Sequence, residues 1–298
     1  MSYNCNGTIN LLQGGISMYK LRNGVEIPEI AFGTWKITDP EVCRKSVKYA
    51  LETGYRHIDT AMVYRNEEFV GEGIKEFLAE NKNVKREDLF ITTKVWNSDQ
   101  GYNSTLAAFE LSLKKLDLEY VDLYLIHWPN TPNMKTTIDT WKALEKLYKE
   151  KKVRAIGVCN FEIHHFEELL PEAEIIPMID QIELHPLNQQ LKSRAYCNEK
   201  GIIVESWSPL MQGNLENDVI EKIGKVHGKT VAQVILKWHL QSGLLPLPKS
   251  VTPSRIKENK DLDFTLSTEE MNTINALNKE ERFATHPDNM SSGFENLR

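Results

Sequence analysis

From Tyr19 onward, apolar residues follow two alternating patterns. In the first they form short, nearly unbroken runs: EIAFG (29–33), HIDTA (57–61), LFITTKV (89–95), VDLYLIHW (121–128), VRAIGV (153–158), PMIDQIE (177–183), GIIVES (201–206) and LLPLP (244–248). In the second they recur every three or four positions, as with Leu106, Phe109, Leu113 and Leu116. An unbroken apolar run predicts a strand covered on both faces, the habit of parallel sheets. The wider spacing predicts amphipathic helices, expected over 40–53, 66–81, 104–116, 137–150, 162–170, 189–200, 216–227, 230–242, 252–260 and 267–277. The first of these opens on Asp39-Pro40, an N-cap followed by proline at the first helical position, and is expected to place Val42, Ser46, Val47 and Ala50 on one side.

Eight strand–helix units in about 280 residues predict an α/β fold, a (β/α)8 TIM barrel, with extra helices late in the chain around 216–242. An open doubly wound sheet is the runner-up, which periodicity alone does not separate. Ahead of the first unit, Asn23-Gly24 between YKL and VEI predicts a β-hairpin. Residues 1–17 are rich in Asn and Gly and carry no charged side chain. They are set apart as a flexible N-terminal extension, leaving 18–298 as a single barrel domain.

Composition narrows the picture. At 298 residues and 41% apolar, the chain can bury a large core in one barrel. A formal charge of −6 argues against nucleic acid or an anionic membrane as the main partner, so an anionic ligand needs a local basic cluster. Cys5, Cys43, Cys159 and Cys197 are widely separated, which suits reduced thiols in the cytoplasm rather than a disulfide frame or a zinc site. No run approaches the roughly 18 apolar residues of a membrane span, and no secretory signal is visible.

Barrel active sites lie at the C-terminal ends of the strands. In order, those ends carry Gly33-Thr34-Trp35, Asp59 with Tyr64 just beyond, Lys94 and Trp96, His127 and Trp128, Cys159-Asn160, Gln181, Trp207-Ser208, and Lys249-Ser250. Taken singly, Asp59 reads as a cap, Tyr64 as a loop anchor, Lys94 as a solvated strand end and His127 as a core histidine. Together they place four titratable groups on one rim. A tyrosine with a reference pKa near 10 can give a proton at neutral pH if its anion is stabilised. Lys94 would do that, Asp59 would keep the ammonium charged, and a neutral His127 would orient the substrate oxygen. No side chain is an obvious nucleophile, so hydride from a cofactor is the natural complement. A metal-dependent hydrolase would need converging ligands, and His164-His165 are adjacent rather than at ligand spacing.

The G-x-G-x-x-G of a Rossmann domain is missing; GEG at 71–73 reads as helix sequence. The segment PLPKSVTPSRIKEN (246–259) offers another anion site. Lys249 and Ser250 follow a strand, and Arg255 enters the next helix on a face shared with Glu258 and Asn259.

The runs GYRHIDTAMVYRNEEFVGEGI, LYLIHWP, GVCNF, QIELHP and LPKSVTPSRIKEN resemble, in order and spacing, the aldo-keto reductase family, over about residues 19–294. The brief loops and tail make the chain similar to the small reductases of the 2,5-diketo-gluconate reductase, glyoxal reductase and prostaglandin F synthase type. The resemblance implies an NADPH-dependent reduction of aldehydes or ketones to alcohols, with cofactor binding first. It implies Tyr64 as general acid tuned by Lys94 and Asp59, with His127 orienting the carbonyl. Trp207 would stack on the nicotinamide, Asn160 and Gln181 would hold its amide, and Ser208, Leu210 and Gly213 would line the pyrophosphate. Lys249, Ser250 and Arg255 would take the 2′-phosphate, with Glu258 and Asn259 beside the adenine. Gly33, Thr34, Trp35, Asp59, Cys159, Pro209 and Val251 complete the implied cofactor set. Trp35, Trp96 and Trp128, with Tyr64 and His127, would wall the substrate pocket, and Met62, Val63, residues 129–138 and the tail near His286 would set specificity. The family commonly has serine where this chain has Cys159, and a thiol is the weaker hydrogen-bond partner. A monomer is expected, with a small carbonyl compound as partner. A cofactor-binding regulatory subunit of the same fold is the alternative, and a stress protein with an idle site is a more distant one.

Overall fold

A computed structural model describes residues 10–11 and 17–292. Three strands precede the repeat: β1 (Asn10–Leu11), β2 (Ser17–Lys20) and β3 (Glu26–Pro28), paired antiparallel in that order. The turn falls at Asn23-Gly24, where Asn23 Oδ1 accepts the Val25 N–H at 3.1 Å and Gly24 takes φ 87°. Gly24 is there because that φ disfavours any side chain. Asn23 Nδ2 also donates to the Arg154 carbonyl at 2.9 Å, fixing the hairpin at the start of a barrel strand. Apart from the pairing of Asn10 and Leu11 with Met18 and Ser17, the N-terminal extension lies outside the described residues.

All eight apolar runs form parallel strands: β4 (Phe32–Gly33), β5 (His57–Asp59), β6 (Phe90–Val95), β7 (Val121–Ile126), β8 (Val153–Cys159), β9 (Ile179–Glu183), β10 (Ile203–Trp207) and β11 (Leu245–Pro246). They are hydrogen-bonded in sequence order from β4 to β11. Ala31 and Gly33 then donate their N–H groups to the Pro246 and Pro248 carbonyls, each at 3.1 Å, which joins the first strand to the last. The sheet is therefore a closed barrel, and the open sheet is set aside.

Among the described residues ten α-helices surround it: α1 (Pro40–Glu52), α2 (Glu67–Glu80), α3 (Tyr102–Leu116), α4 (Met134–Lys149), α5 (Ile163–Leu169), α6 (Leu191–Lys200), α7 (Asp218–His227), α8 (Val231–Gln241), α9 (Pro253–Lys260) and α10 (Thr268–Asn275). Asp39 caps α1 by accepting the Val42 N–H at 2.8 Å. The buried stripe of α1 is Cys43, Ser46, Val47, Ala50 and Leu51, with Val42 turned outward. The expected stripe was thus displaced at its first residue, because Cys43 lies one position on and seven before Ala50, on the same face.

The glycines of GEG serve packing. A Cβ on Gly71 would lie 2.3 Å from the Leu116 carbonyl oxygen at the end of α3, and one on Gly73 2.6 Å from the Arg44 carbonyl oxygen on α1. Both positions hold backbone against backbone, where no flexible side chain can give way. Gly71→Ala is therefore expected to destabilise the fold by about 1–3 kcal/mol, read as a lower urea midpoint at unchanged slope.

Candidate active site

The strand register explains which side chains meet. Residues paired across adjacent parallel strands point to the same face. Asp59 pairs with Thr92, two residues before Lys94, so Asp59 and Lys94 both project into the barrel at its C-terminal end. Lys94 is fully buried and its Nζ donates to Asp59 Oδ1 and Oδ2 at 2.7 and 2.8 Å, and to the Thr60 carbonyl at 2.9 Å. All three ammonium hydrogens are thereby matched by acceptors.

Tyr64 ends a 3-10 turn after β5, held where the Arg65 backbone takes the left-handed conformation at φ 56°. Its ring is half-buried, 5.3 Å from Lys94 Nζ. Burial raises the phenol above its ordinary range and outweighs the opposing Lys94 charge, so the proton is held at neutral pH. Burial alone would lower Lys94, but Asp59 and Tyr64 outweigh it and the ammonium stays charged. His127 lies edge-on to Tyr64 at 5.6 Å and to Trp96 at 5.1 Å, and burial, then Lys94, keep its pKa well below the usual value. The imidazole is neutral. The site therefore holds one proton-bearing phenol between a fixed cation and a neutral ring.

A second row runs across β8, β9 and β10. Cys159 pairs with Gln181, and Gln181 with Glu205, so all three share the inner face. Gln181 Nε2 donates to Asp59 Oδ2 at 2.9 Å and to Glu205 Oε2 at 2.8 Å, and Gln181 Oε1 faces the Cys159 thiol at 3.5 Å. Burial raises the Cys159 thiol far above its usual value, so it is an S–H donor here and not a thiolate. Asn160, at φ 63°, donates to the His127 carbonyl at 2.9 Å and accepts the Trp207 indole N–H at 2.8 Å. Trp207 is half-buried, 6.4 Å from the Trp128 ring.

Beyond Trp207, Ser208, Met211, Gln212 and Gly213 all have positive φ, a winding loop that also contains Pro209 and Leu210. Among the described residues Ser208 Oγ, buried there, has no hydrogen-bond partner. On the adjoining rim, Gly33 packs under Leu247 and Lys249, and Thr34 bonds to the Asp59 carbonyl through both its N–H and its hydroxyl. Trp35 is 45% exposed with the Lys36 ammonium 4.2 Å over its ring. Burial, then the charge of Lys36, lowers the Lys249 pKa, so two ammonium groups face one region. Among the described residues, no carboxylate pairs with Lys36, Lys249 or Arg255. Val251 is exposed, Ser250 Oγ accepts the Thr252 N–H at 3.1 Å, and Arg255 stands exposed in the first turn of α9. Asn259 is buried, and the Glu258 carboxylate accepts from the Thr230 hydroxyl at 2.9 Å.

Two residues of this site escaped the sequence reading, Lys36 and Glu205. Glu205 carried a signal: it stands two positions before Trp207, and the period of a strand puts both on one face. Lys36 follows a rim tryptophan at φ 60°, which nothing in the sequence marks.

The tail closes over one side. The Glu183 carboxylate accepts the Phe283 N–H at 2.7 Å, and Arg282 pairs with Glu162. His164, His165 and Asp288 come within 4.8 Å of one another. His165 Nδ1 accepts the Glu162 N–H at 2.9 Å, so the neutral ring carries its proton on Nε2, 3.2 Å from Asp288. A metal ligand needs that lone pair free, with the other nitrogen donating. In this tautomer His165 offers no lone pair to an ion, and His164 Nε2 ties the tail to α5 through Asp288 at 3.0 Å.

The family model described as "Aldo/keto reductase family" matches residues 29–279. The glyoxal reductase of Bacillus subtilis (strain 168) is 55% identical over 273 residues, 91% of this chain and 96% of that protein. The 9,11-endoperoxide prostaglandin H2 reductase of Trypanosoma cruzi (strain CL Brener) is 50% identical over 280 residues, 92% and 96% of the two chains. Among solved structures, a Gox0644 mutant in complex with NADPH superposes with a TM-score of 0.86 at 40% identity, covering 92% of this chain and 98% of the other.

Lys94 and Asp59 neutralise each other where neither is solvated, so removing one strands the other. Lys94→Met should cost about 3–5 kcal/mol of folding stability, measured by urea denaturation of the ligand-free protein.

Proposed function

The chain belongs to the aldo/keto reductase family, and we propose that Tyr64, Lys94, Asp59 and His127 are the groups with which it works. It is an NADPH-dependent oxidoreductase that reduces aldehyde or ketone carbonyls to alcohols. The observation that carries the site reading is the buried Lys94 ammonium, fixed on Asp59 and set against a protonated Tyr64.

The residues fit the cofactor. The unpartnered Ser208 hydroxyl, the half-buried Trp207 ring and the unpaired Lys36, Lys249 and Arg255 offer a donor, a stacking face and a cationic cradle for phosphate. Trp207 would hold the nicotinamide ring; Lys249, Ser250 and Arg255 would hold the 2′-phosphate, with Val251, Glu258 and Asn259 beside them. Gly33, Thr34, Trp35, Pro209, Leu210 and Gly213 would line the remainder. Asn160 and Gln181 would hold the carboxamide, Gln181 through Oε1 while its Nε2 stays on Asp59 and Glu205, and Cys159 would act through Gln181. Bound NADPH supplies the hydride that the carbonyl carbon accepts.

The chain's own groups act on the oxygen. His127, neutral, orients the carbonyl by a hydrogen bond, and Tyr64 gives its proton to that oxygen as negative charge develops. Lys94 stabilises the phenolate left behind, and Asp59 keeps Lys94 charged and aimed. Trp35, Trp96 and Trp128 wall the substrate cleft. The glyoxal and prostaglandin reductase names belong to relatives; for this chain we propose small aldehydes and dicarbonyls as substrates.

We read residues 18–298 as one barrel domain, and we propose that it acts as a monomer. The described thiols, Cys43, Cys159 and Cys197, are free and buried, which suits a cytoplasmic setting. Among the described residues no helix is long and apolar enough to cross a membrane.

Tyr64→Phe should lower kcat for a simple aldehyde by about 100-fold or more while NADPH still binds, read by quenching of tryptophan fluorescence. Wild-type turnover in that variant would refute the acid assignment. Arg255→Ala should raise the Kd for NADPH about tenfold or more and leave the Kd for NADH nearly unchanged, read by titration of both. Equal losses would remove the 2′-phosphate role.

A further inference from the structure

Glu205 has no part in the reaction as described, yet it is fully buried one hydrogen bond from the machinery. Its Oε2 and the Oδ2 of Asp59 accept from the same atom, Gln181 Nε2, at 2.8 and 2.9 Å. Two carboxyl groups thus share one amide nitrogen in the barrel interior. The nearest cation, Lys94, is committed to Asp59 and to the Thr60 carbonyl. Among the described residues Glu205 Oε1 has no hydrogen-bond partner. A buried carboxylate without a cation is costly, and the usual response is to keep the proton.

We propose that Glu205 is a positioning residue that acts as an uncharged acid: through Gln181 it holds Asp59 on Lys94, and loss of its proton disables the site in alkaline solution. The proposal rests on the reading of Tyr64, Lys94, Asp59 and His127 as the catalytic groups.

The electrostatics agree with the geometry. Burial, and next the charge of Asp59, push Glu205 up to about 8, against the smaller pull of Gln181 and Lys94. The other titratable groups around it change nothing in this range. Cys159, on β8, is held as a thiol, and Tyr64 keeps its proton. On β11 the register partner of Glu205 is Leu245, which brings no charge. In the neutral form the buried pair Asp59–Lys94 is balanced. Ionised, Glu205 adds a second anion against the same amide, repels Asp59 across Gln181 and draws the Lys94 charge away from Tyr64. Tyr64 then has a less stabilised phenolate and becomes a poorer proton donor.

Glu205→Gln is the test, because it keeps the shape and removes the titration. At pH 9, one unit above the Glu205 value, only about one tenth of wild-type molecules keep the acid neutral. The ratio of kcat at pH 9 to kcat at pH 7 should therefore rise up to about tenfold in Glu205→Gln relative to wild type. Superimposable profiles overturn the proposal. A readout independent of turnover comes from folding. Glu205 binds its proton more tightly folded, at about 8, than unfolded, near 4.5, so unfolding between those values releases a proton and stability falls as pH rises. That fall in Tm should be shallower in ligand-free Glu205→Gln, and an unchanged slope counts against the proposal. Should the variant fail to fold, infrared difference spectra of the wild type carry the test. A carboxylic C=O band lost in parallel with kcat supports it, and no carboxyl ionisation across that limb overturns it. The site reading fails separately, through an active Tyr64→Phe.

Discussion

A lysine ammonium at the closed centre of a barrel is the constraint around which the site is built. Lys94 has no solvent contact, so its charge persists only because Asp59 meets it with both oxygens and the Thr60 carbonyl takes the third hydrogen. Neither side chain could hold its charge there alone. The pairing needs β5 and β6 in a register that puts both residues at the same height, and barrel closure provides it. Stability and the proposed chemistry are therefore joined at one ion pair, and the rest of the inner face is arranged to respect it.

That arrangement uses neutral groups wherever a second charge would compete. His127 is kept uncharged by burial and by Lys94, and burial keeps the proton on Tyr64. Cys159 remains a thiol, so the departure from serine at this position costs the site no charge balance. Its weaker S–H bond reaches Gln181 Oε1, the end of the amide that no ionised group engages. Charged groups without carboxylate partners are found instead on the rim, at Lys36, Lys249 and Arg255, where a phosphate can meet them from solvent. An acidic chain thus gathers positive charge locally, as the proposed phosphate site requires.

Much of this was legible in the sequence, for identifiable reasons. The strands are apolar on both faces and the helices on one, so all eight runs and all ten periodic stretches could be placed within a few residues. Asp59, Lys94 and His127 stood out because each ends such a run. Periodicity did not give closure, which depends on the bonds from Ala31 and Gly33 to Pro246 and Pro248. Nor did it give the phase of α1, where Cys43 rather than Val42 faces inward. The links through Gln181 were hidden because they join residues 59, 181 and 205, and only strand order puts these side by side. His164-His165 looked too close for a shared ligand; the tail brought Asp288 to them, and one backbone N–H decided the tautomer.

The division of labour between the two buried acids follows from where the cation can reach. Asp59 sits at the mouth of β5, within two hydrogen bonds of Lys94 and facing Tyr64 across it. Glu205 sits across the barrel on β10 and touches that group only through an amide. An amide N–H accommodates a carboxylate or a neutral carboxyl oxygen alike, whereas an ammonium in a dry site requires an anion. Asp59 therefore takes the charge and Glu205 the proton, although the aspartyl and glutamyl carboxyls are chemically alike. What distinguishes them is a strand register, and through it the fold sets which acid is ionised before any ligand arrives.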